Sequence, residues 1–256
     1  MITASKNLTS IALGMALIVA SNNVAASLSD GLVAYYAFEG TANDISGNNH
    51  HGIVSGGATY ATGVIGQGIV LDGVNDYLTV NVPIIGSGNW TVSAWVNIAT
   101  IDSGYTDWQE LISNNAESIA LGFETSNRRL AIWDSGNRLT SSNNTISAGI
   151  NTLITYVKSG NNLSIYKDGI SIAENSNGAA IAFSTLTTIG MWLPGDASAF
   201  NREALNGMID DLRIYNRALS SAEITTLHAV PVPSAVWLFL GGMATLLRMP
   251  KRSALV

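Results

Sequence analysis

The chain has 256 residues, of which 47% are hydrophobic, only 12% are charged and none is cysteine. The lack of cysteine excludes disulfides, zinc–thiolate sites and thiol catalysis. Eighteen acidic residues against twelve basic ones give a net charge of −6, which argues against the basic face that nucleic-acid-binding proteins carry.

The first 26 residues have the three-part pattern of a secretory signal peptide. Lys6 supplies the positive start, and Leu8–Ala20 is an apolar run of 13 residues. Val24 and Ala26 are the small residues that precede a cleavage site. The run is short for the roughly 20 residues of a membrane-spanning helix. We therefore predict cleavage after Ala26 and export, with an uncleaved membrane helix as the alternative.

Residues 27–229 predict one domain. About 200 residues are enough for a single sizeable core without disulfides. This segment holds eight basic and all eighteen acidic residues, a net charge of −10, which suits a bound cation better than an anionic partner. Asn, Ser, Thr and Gly cover its surface in place of charged residues, and such surfaces can hydrogen-bond sugars.

The pattern of this domain is that of β-strands from end to end. In Trp90–Ile98, for example, apolar residues alternate with Thr91, Ser93 and Asn97. Turn signals, such as Asp72-Gly73, separate the segments, and we predict a hairpin turn there. The predicted strands are Leu32–Phe38, Gly68–Leu71, Tyr77–Val82, Trp90–Ile98, Glu110–Ser113, Ser118–Phe123, Arg129–Trp133, Asn151–Lys158, Leu163–Lys167, Leu186–Trp192 and Met208–Tyr215.

Local signals predict one hairpin and one short helix. Gly160-Asn161-Asn162 separates two strand segments, as in an antiparallel hairpin. Ser220 and Glu223 form a capping box ahead of a helix over Ser221–His228. Many short strands without alternating helices predict an all-β fold of two antiparallel sheets, a sandwich or jelly roll. Both apolar terminal runs are expected to be helical.

The last 27 residues predict a sorting or anchoring segment. Two prolines interrupt the chain, Ala235–Leu247 is apolar, and the end is basic. The residues that carry this pattern are Val230, Pro231, Val232, Pro233, Ser234, Arg248, Lys251 and Arg252. The segment resembles the PEP-CTERM sorting signal of Gram-negative bacteria, although Val232 stands where that family usually has glutamate. The resemblance implies processing by an exosortase-like enzyme at the cell surface; a plain membrane anchor is the alternative.

Three separated stretches of the domain carry a second resemblance. They are GLVAYYAFEGTANDISGNNHHG (31–52), GQGIVLDGVNDYLTV (66–80) and GMIDDLRIYNRALSSAEITTL (207–227). In this order they resemble the LamG-like, concanavalin A-like jelly-roll family, and the likeness covers roughly residues 31–228. It implies that the first and last strands are neighbours in one sheet. A fold of this kind does not by itself fix the function.

Carboxylates near both ends of the domain suggest a calcium site. Some LamG-like relatives bind calcium by joining these ends. The resemblance therefore implies one Ca²⁺ held by Asp44 and by Asp210 or Asp211, together with main-chain carbonyls near residues 48–52, because Ca²⁺ prefers oxygen ligands. Asp210 and Asp211 are adjacent in a predicted strand, so only one of them is expected to face a given site. The alternative is that Asp44 only caps its own turn.

Three tryptophans are candidates for stacking on a sugar ring. Trp108 and Trp192 are expected in loops, and Trp133 at the end of a strand. Trp90 and Trp95 lie within a strand and are expected in the core, where aromatic side chains commonly pack. Packing is the alternative for each of the other three as well.

The sequence gives no pattern for catalysis. Glycosidases need two carboxyl groups that flank one bond, but Glu110, Glu117, Glu124 and Glu174 stand singly in the sequence. No Gly-x-Ser-x-Gly nucleophile motif accompanies the histidines. We therefore predict a noncatalytic, exported binding or adhesion module, whose partner is an extracellular polysaccharide or a surface protein. A purely structural matrix protein is the alternative, and a glycan hydrolase a more distant one.

Overall fold

The described parts of the chain form two antiparallel β-sheets, with a two-turn helix after the last strand. The computed structural model describes residues 28–83, 88–101, 108–114, 119–133, 138–176, 185–192 and 203–229. The strands are β1 (Leu32–Tyr36), β2 (Ile53–Ser55), β3 (Thr59–Thr62), β4 (Gln67–Asp72), β5 (Tyr77–Pro83), β6 (Trp90–Ile98), β7 (Trp108–Asn114), β8 (Ile119–Glu124), β9 (Arg129–Trp133), β10 (Arg138–Thr140), β11 (Asn151–Ser159), β12 (Asn162–Lys167), β13 (Ile170–Asn175), β14 (Thr185–Ile189) and β15 (Asn206–Tyr215). The helix, α1, is Ser221–His228.

The larger sheet has the order β13-β12-β11-β6-β15-β4-β3. Strand β15 is ten residues long, so one of its edges accommodates two partners: β4 pairs with its first half and β1 with its second. The first and last strands are therefore neighbours, as the family resemblance implies. The smaller sheet has the order β10-β9-β8-β7-β14-β5-β2. The predicted all-β, two-sheet architecture is confirmed.

The main core lies between the two sheets. Alternate residues of each strand face it, because side chains of a strand point to opposite faces in turn. Trp90 and Tyr156 are among its fully buried side chains, and Tyr156 donates a hydrogen bond of 2.9 Å to the carbonyl of Gly122. A second cluster, which includes Trp95, Ile224 and Leu227, lies between the larger sheet and α1. Trp90 and Trp95 are thus core residues, as predicted.

Several local predictions are confirmed. Strands β11 and β12 form the hairpin, with Ser159 opposite Asn162. Helix α1 has the predicted bounds, and both halves of the capping box at Ser220 and Glu223 are present. None of the helices in the described parts of the chain has the length and apolar character that a membrane crossing needs.

Other local predictions were wrong. Asp72-Gly73 does not close a hairpin: β4 belongs to the larger sheet and β5 to the smaller one, so this turn connects the two layers. The first strand ends at Tyr36 rather than Phe38, because Phe38 has a left-handed φ of 54° that no extended strand adopts. Strands β2, β3, β10 and β13 were not predicted, since they are short or half-exposed.

The terminal segments lie outside the described residues. This applies to the signal peptide with its cleavage site at Ala26, to the sorting residues from Val230 to Arg252, and to the helices expected there. The division into residues 1–26, 27–229 and 230–256 therefore stays a prediction. Helix α1 is capped at Ala229, the last of the described residues.

Candidate functional site

A small apolar cluster lies on the outer face of the smaller sheet. Leu130 and Ile132 of β9 face the core, so Ala131 and Trp133 point the other way. Ala131 packs there with Ala120 of β8 and Trp108 of β7. This face therefore has its own apolar patch, separate from the core.

Two tryptophans form an aromatic platform on this face. The ring centroids of Trp108 and Trp133 are 6.2 Å apart, with the planes at 67°, an edge-to-face arrangement that stabilises aromatic pairs. Trp108 is buried, with 8% of its surface exposed, whereas Trp133 is 44% exposed. Trp133 therefore offers a supported indole to the solvent, and we call these two rings with Ala120 and Ala131 the aromatic platform.

Small residues beside the tryptophans keep the platform open. Gly122 of β8 lies between Glu110 and Ala131 of the adjacent strands. A Cβ at this glycine would collide with the carbonyl oxygen of Gln109 and would lie 3.2 Å from the Trp108 Nε1. Only glycine therefore allows the close approach of β7, β8 and the Trp108 indole.

An ion pair borders the platform at the Trp108 end. Glu124 of β8 is opposite both Trp108 and Arg129. The Arg129 Nη2 donates to the two Glu124 carboxylate oxygens at 2.6 and 2.7 Å, and the Asn127 Nδ2 donates to Oε1 at 2.6 Å. This places fixed hydrogen-bonding groups next to the aromatic rings.

A carboxyl pair borders the platform on the other side. Glu110 lies opposite Gly122, is almost fully buried, and forms a side-chain hydrogen bond with Glu203. Burial raises the pKa of Glu110 well above its usual range, and the neighbouring charge of Glu203 raises it further. Burial also raises the pKa of Glu203. Because two ionised carboxylates repel each other, the hydrogen bond requires that the pair hold a proton.

The sequence did not reveal this carboxyl pair. Glu110 and Glu203 are 93 positions apart, and they meet because the segment before β15 passes beside β7 in the folded chain. The backbone N–H of Glu110 also donates to the carbonyl of Glu203 at 3.1 Å. Glu110, which stands singly in the sequence, therefore has a carboxyl partner in the folded chain.

The three predicted tryptophans have different places. Trp133 lies at the end of β9, as predicted, and contacts Trp108. Trp108 was expected in a loop but is the first residue of β7. Trp192 follows β14, on the other side of β7 from the platform, and is half-buried. Two of the three thus belong to one site.

Asp44 stabilises its own turn. Its Oδ1 accepts hydrogen bonds from the backbone N–H groups of Tyr35 and Ser46, at 2.9 and 2.8 Å, and its Oδ2 accepts one from His50 at 2.9 Å. These hydrogen bonds lower the pKa of Asp44 despite its burial. The backbone N–H of Asp44 donates to the His51 Nδ1 at 3.1 Å, which gives that histidine a structural role.

Asp210 and Asp211 have separate partners. The Asp210 Oδ2 accepts from the N–H groups of Val64 and Ile65, both at 2.8 Å, and burial raises the pKa of Asp210 to about 6. The Asp211 Oδ1 accepts from the Tyr35 hydroxyl at 2.5 Å and from the Arg213 Nη2 at 3.0 Å. The expected regular alternation was wrong, because Asp211 has a φ of 53° and the register of β15 shifts there.

These contacts bear on the calcium hypothesis. In the parts of the chain that the structure describes, no three His, Asp or Glu side chains form a group that could hold a metal ion. Asp44, Asp210 and Asp211 each bind different protein groups. The hypothesis also relied on main-chain carbonyls, and calcium binding stays a prediction.

Comparisons with known proteins agree with this architecture. A model of the concanavalin A-like lectin/glucanases superfamily matches residues 72–225, more than half of the chain. No curated protein sequence matches the chain significantly.

Solved structures show the same fold at low sequence identity. The binding domain of Paraclostridial Mosquitocidal Protein 1 has a TM-score of 0.62 and 20% identity, over 78% of this chain and 52% of that one. Domain 4 of AbnA, a GH43 extracellular arabinanase from Geobacillus stearothermophilus, in complex with arabinotriose, has a TM-score of 0.59 and 20% identity, over 77% of this chain and 98% of that one. The ligand binding domain of botulinum neurotoxin serotype D, in complex with N-acetylneuraminic acid, has a TM-score of 0.63 and 16% identity, over 82% of this chain and 53% of that one. The chain spans about half the length of the two toxin domains.

Proposed function

Because the chain belongs to the concanavalin A-like lectin/glucanases superfamily, we propose that it is a noncatalytic module that binds carbohydrate. The observation that carries this proposal is the aromatic platform. A sugar ring has an apolar face of C–H groups, which stacks on an exposed aromatic ring, and an edge of hydroxyl groups. Trp133 supplies the ring, and the Glu124–Arg129 pair places polar groups at the Trp108 end of the same face.

Two of the similar structures support this proposal because they contain bound sugars. One of them binds arabinotriose and another binds N-acetylneuraminic acid. For this chain a neutral sugar is the better ligand, because residues 27–229 carry a net charge of −10 that repels acidic sugars. The proposed partner is therefore a neutral extracellular polysaccharide.

The geometry of the carboxyl pair favours binding over hydrolysis. Retaining glycosidases hold their two carboxyl groups about 5–5.5 Å apart, and inverting enzymes hold them farther apart, so that a sugar or a water fits between. Glu110 and Glu203 are hydrogen-bonded to each other instead. The pair therefore leaves no room between its carboxyl groups for a glycosidic bond.

Substitution at Trp133 tests the proposed function. On an array of neutral oligosaccharides, the full chain should bind at least one glycan, and Trp133→Ala should raise its Kd roughly fivefold or more, because a stacked ring of this kind contributes about 1 kcal/mol or more. Trp133→Phe should keep most of the affinity, since it keeps an aromatic face. Ile170→Ala, which removes another exposed apolar side chain, is the matched control.

Three results would contradict the proposal. Equal affinity of Trp133→Ala and the unsubstituted chain would show that the aromatic platform does not bind the glycan. An array without any bound glycan would favour the alternative, a structural surface or matrix protein that needs no small ligand. Release of reducing sugar by the full chain would show that the module is an enzyme.

We also propose that the chain is exported and sorted to the surface of a Gram-negative cell. The signal-peptide pattern of residues 1–26 and the PEP-CTERM-like pattern of residues 230–252 support this proposal. Mass spectrometry of the mature protein tests it. An N-terminus at Ser27 and a C-terminus near Pro233 would match processing by an exosortase-like enzyme, whereas an intact Arg252 would match a membrane anchor.

A further inference from the structure

A polar groove lies on the outer face of the larger sheet, away from the aromatic platform. It has a volume of about 550 Å³ and runs between strands β11–β13 and the segment that leads into α1. This volume lies within the range of about 300–1,000 Å³ that is usual for small-molecule sites. The groove is therefore large enough to hold one or two sugar units.

The floor of the groove comes from side chains that share one face of the sheet. Asn162, Ser164 and Tyr166 alternate along β12, so they point to the same side. Ser164 lies opposite Val157 of β11 and Glu174 of β13. The strand pairing thus aligns an amide, a hydroxyl, a phenol and a carboxylate in one surface.

The groove has one apolar side and many hydrogen-bonding groups. Val157 and Leu219 are buried, belong to the cluster beneath α1, and form the apolar side with Ala218. The phenol ring of Tyr166 packs against the same cluster. The remaining lining residues carry hydroxyl, amide or carboxylate groups: Ser159, Asn162, Ser164, Glu174, Asn175, Ser176, Ser220 and Ser221.

This combination matches the surface of a sugar ring. A pyranose or furanose presents C–H groups on one side and hydroxyl groups on its edge, and each hydroxyl both donates and accepts hydrogen bonds. Serine hydroxyls and asparagine amides are likewise donors and acceptors at once. An apolar ligand would leave these polar groups without partners, which costs binding free energy.

The charge of the groove selects among sugars. Glu174 is the charged residue of the lining, and its Oε1 accepts a hydrogen bond of 2.8 Å from the Ser171 hydroxyl. Burial and the Glu174 charge both raise the pKa of Tyr166, so its hydroxyl stays protonated and can donate. A carboxylate on the ligand would be repelled by Glu174.

We propose that this groove is a second carbohydrate site, for a saccharide chain without acidic groups. It goes beyond the proposed function, which uses only the aromatic platform of the smaller sheet. The outer faces of two packed sheets point in opposite directions, so the two sites face away from each other. One module could then bind two polysaccharide strands at once and cross-link them, since two linked sites give avidity without any new contact.

Titration calorimetry with matched variants tests the groove. The full chain is purified in a detergent without a sugar headgroup, because such a headgroup would compete for the sites. The probes are neutral hexasaccharides of glucose, arabinose and N-acetylglucosamine, with a hexagalacturonate as the acidic probe. The variants are Trp133→Ala, Ser164→Gln, which fills the groove, and Ser142→Gln, the same change at an exposed serine elsewhere.

The expected result is two bound equivalents of one neutral hexasaccharide per chain. Trp133→Ala and Ser164→Gln should each keep one equivalent, and Ser142→Gln should keep both. The Trp133→Ala, Ser164→Gln double variant should lose at least tenfold in affinity at both sites, with an unchanged melting temperature. Trp133→Ala should not bind the hexagalacturonate.

Other outcomes separate this proposal from the platform. If the unsubstituted chain bound one equivalent of hexasaccharide and Trp133→Ala bound none, the proposal of a second site in the groove would be wrong, and the proposed function would stand. If the unsubstituted chain bound one equivalent of hexasaccharide and only Ser164→Gln abolished it, the groove would be the binding site and the proposal for the aromatic platform would be wrong. No binding of any probe would overturn both, and binding of the hexagalacturonate by Trp133→Ala would overturn the assignment of the groove to non-acidic sugars.

Discussion

At the scale of single residues, the buried Glu110 is the most unusual side chain near the aromatic platform. It carries an ionisable group into a nearly water-free position, where Glu203 is its hydrogen-bond partner and the Ser113 side chain a second one. Burial favours the neutral form of a carboxyl group, and a second carboxyl group nearby favours it further. The folded chain therefore holds a proton here that the unfolded chain releases.

This retained proton makes stability depend on pH. The pKa of Glu110 is raised in the folded state, so the folded chain binds more protons than the unfolded chain above about pH 4.3. The free energy of unfolding then falls as the pH rises from there towards the raised pKa, by about 1.4 kcal/mol per pH unit for one such group. Burial also raises the pKa of Asp210 to about 6. Asp210 therefore further lowers the free energy of unfolding as the pH rises towards 6.

We expect Glu110→Gln to flatten this pH dependence. Glutamine keeps the shape and a hydrogen bond to Glu203 but has no proton to lose. Chemical denaturation at pH 5 and pH 8 should show a smaller difference in the free energy of unfolding for the variant than for the unsubstituted chain. Asp30→Asn, at an exposed carboxylate, is the control. An equal pH dependence of the Glu110 variant and the unsubstituted chain would show that Glu110 is not protonated in the fold.

The tryptophans show what residue-level reasoning could predict. Trp133 was predicted at the end of a strand, with sugar stacking and packing both open, and it is the last residue of β9. The burial of Trp108 could not be predicted, because it depends on Ala120 and Ala131 from two other strands and on a glycine at position 122. Trp108 therefore supports the exposed ring of Trp133 rather than being exposed itself.

At the scale of elements, α1 shows how a short local signal anchors a larger surface. The Glu223 Oε2 accepts from the Ser220 N–H at 2.8 Å, and the Arg217 Nη2 donates to the Glu223 Oε1 at 2.7 Å. An isolated eight-residue helix is unstable in water. This helix persists because the cap fixes its start while Ile224 and Leu227 are buried against the larger sheet.

We expect Ser220→Ala to weaken the helix and the fold. The loss of an N-cap side chain costs about 0.5–2 kcal/mol, which for a domain of about 200 residues lowers the Tm by a few degrees. Ser221→Ala, one position inside the helix, should change the Tm much less, because that side chain is not the cap. Differential scanning calorimetry of both variants measures this difference. Equal shifts would mean that burial alone holds α1.

Strand β15 shows where element-level prediction fails. Its existence and apolar pattern were clear from the sequence, but the shift at Asp211 was not. The extra residue lets the Asp211 carboxylate reach Tyr35 of β1 and Arg213 of its own strand. A bulge of this kind depends on the partner strands, which a single sequence segment does not contain.

At the scale of the whole molecule, the excess of acidic residues favours the binding of a cation. The net charge of −10 in residues 27–229 disfavours compaction, and a bound cation would relieve part of it. The calcium prediction, at Asp44 with Asp210 or Asp211, therefore has a direct test. A calcium ion that binds only the folded chain raises the Tm by mass action.

If the prediction holds, the Tm is higher in millimolar calcium than in EDTA, and Asp44→Asn abolishes the difference. Asp30→Asn, at an exposed position, should keep it. Differential scanning calorimetry at constant ionic strength measures this. Equal Tm and equal protease resistance in calcium and EDTA would contradict the prediction and leave Asp44 with its turn as its role.

The sequence by itself determined the all-β class, the hairpin of β11 and β12 and the helix cap, because these depend on alternation, turn residues and short spacings along the chain. The resemblance of three separated motifs indicated the family. Only the tertiary structure decided that β4 and β5 belong to different sheets and that Trp108 meets Trp133. It alone brought Glu110 to Glu203 and β12 to the start of α1. The physical reason is that strand pairing brings together residues that are tens of positions apart, and local preferences along the chain do not encode which strands pair.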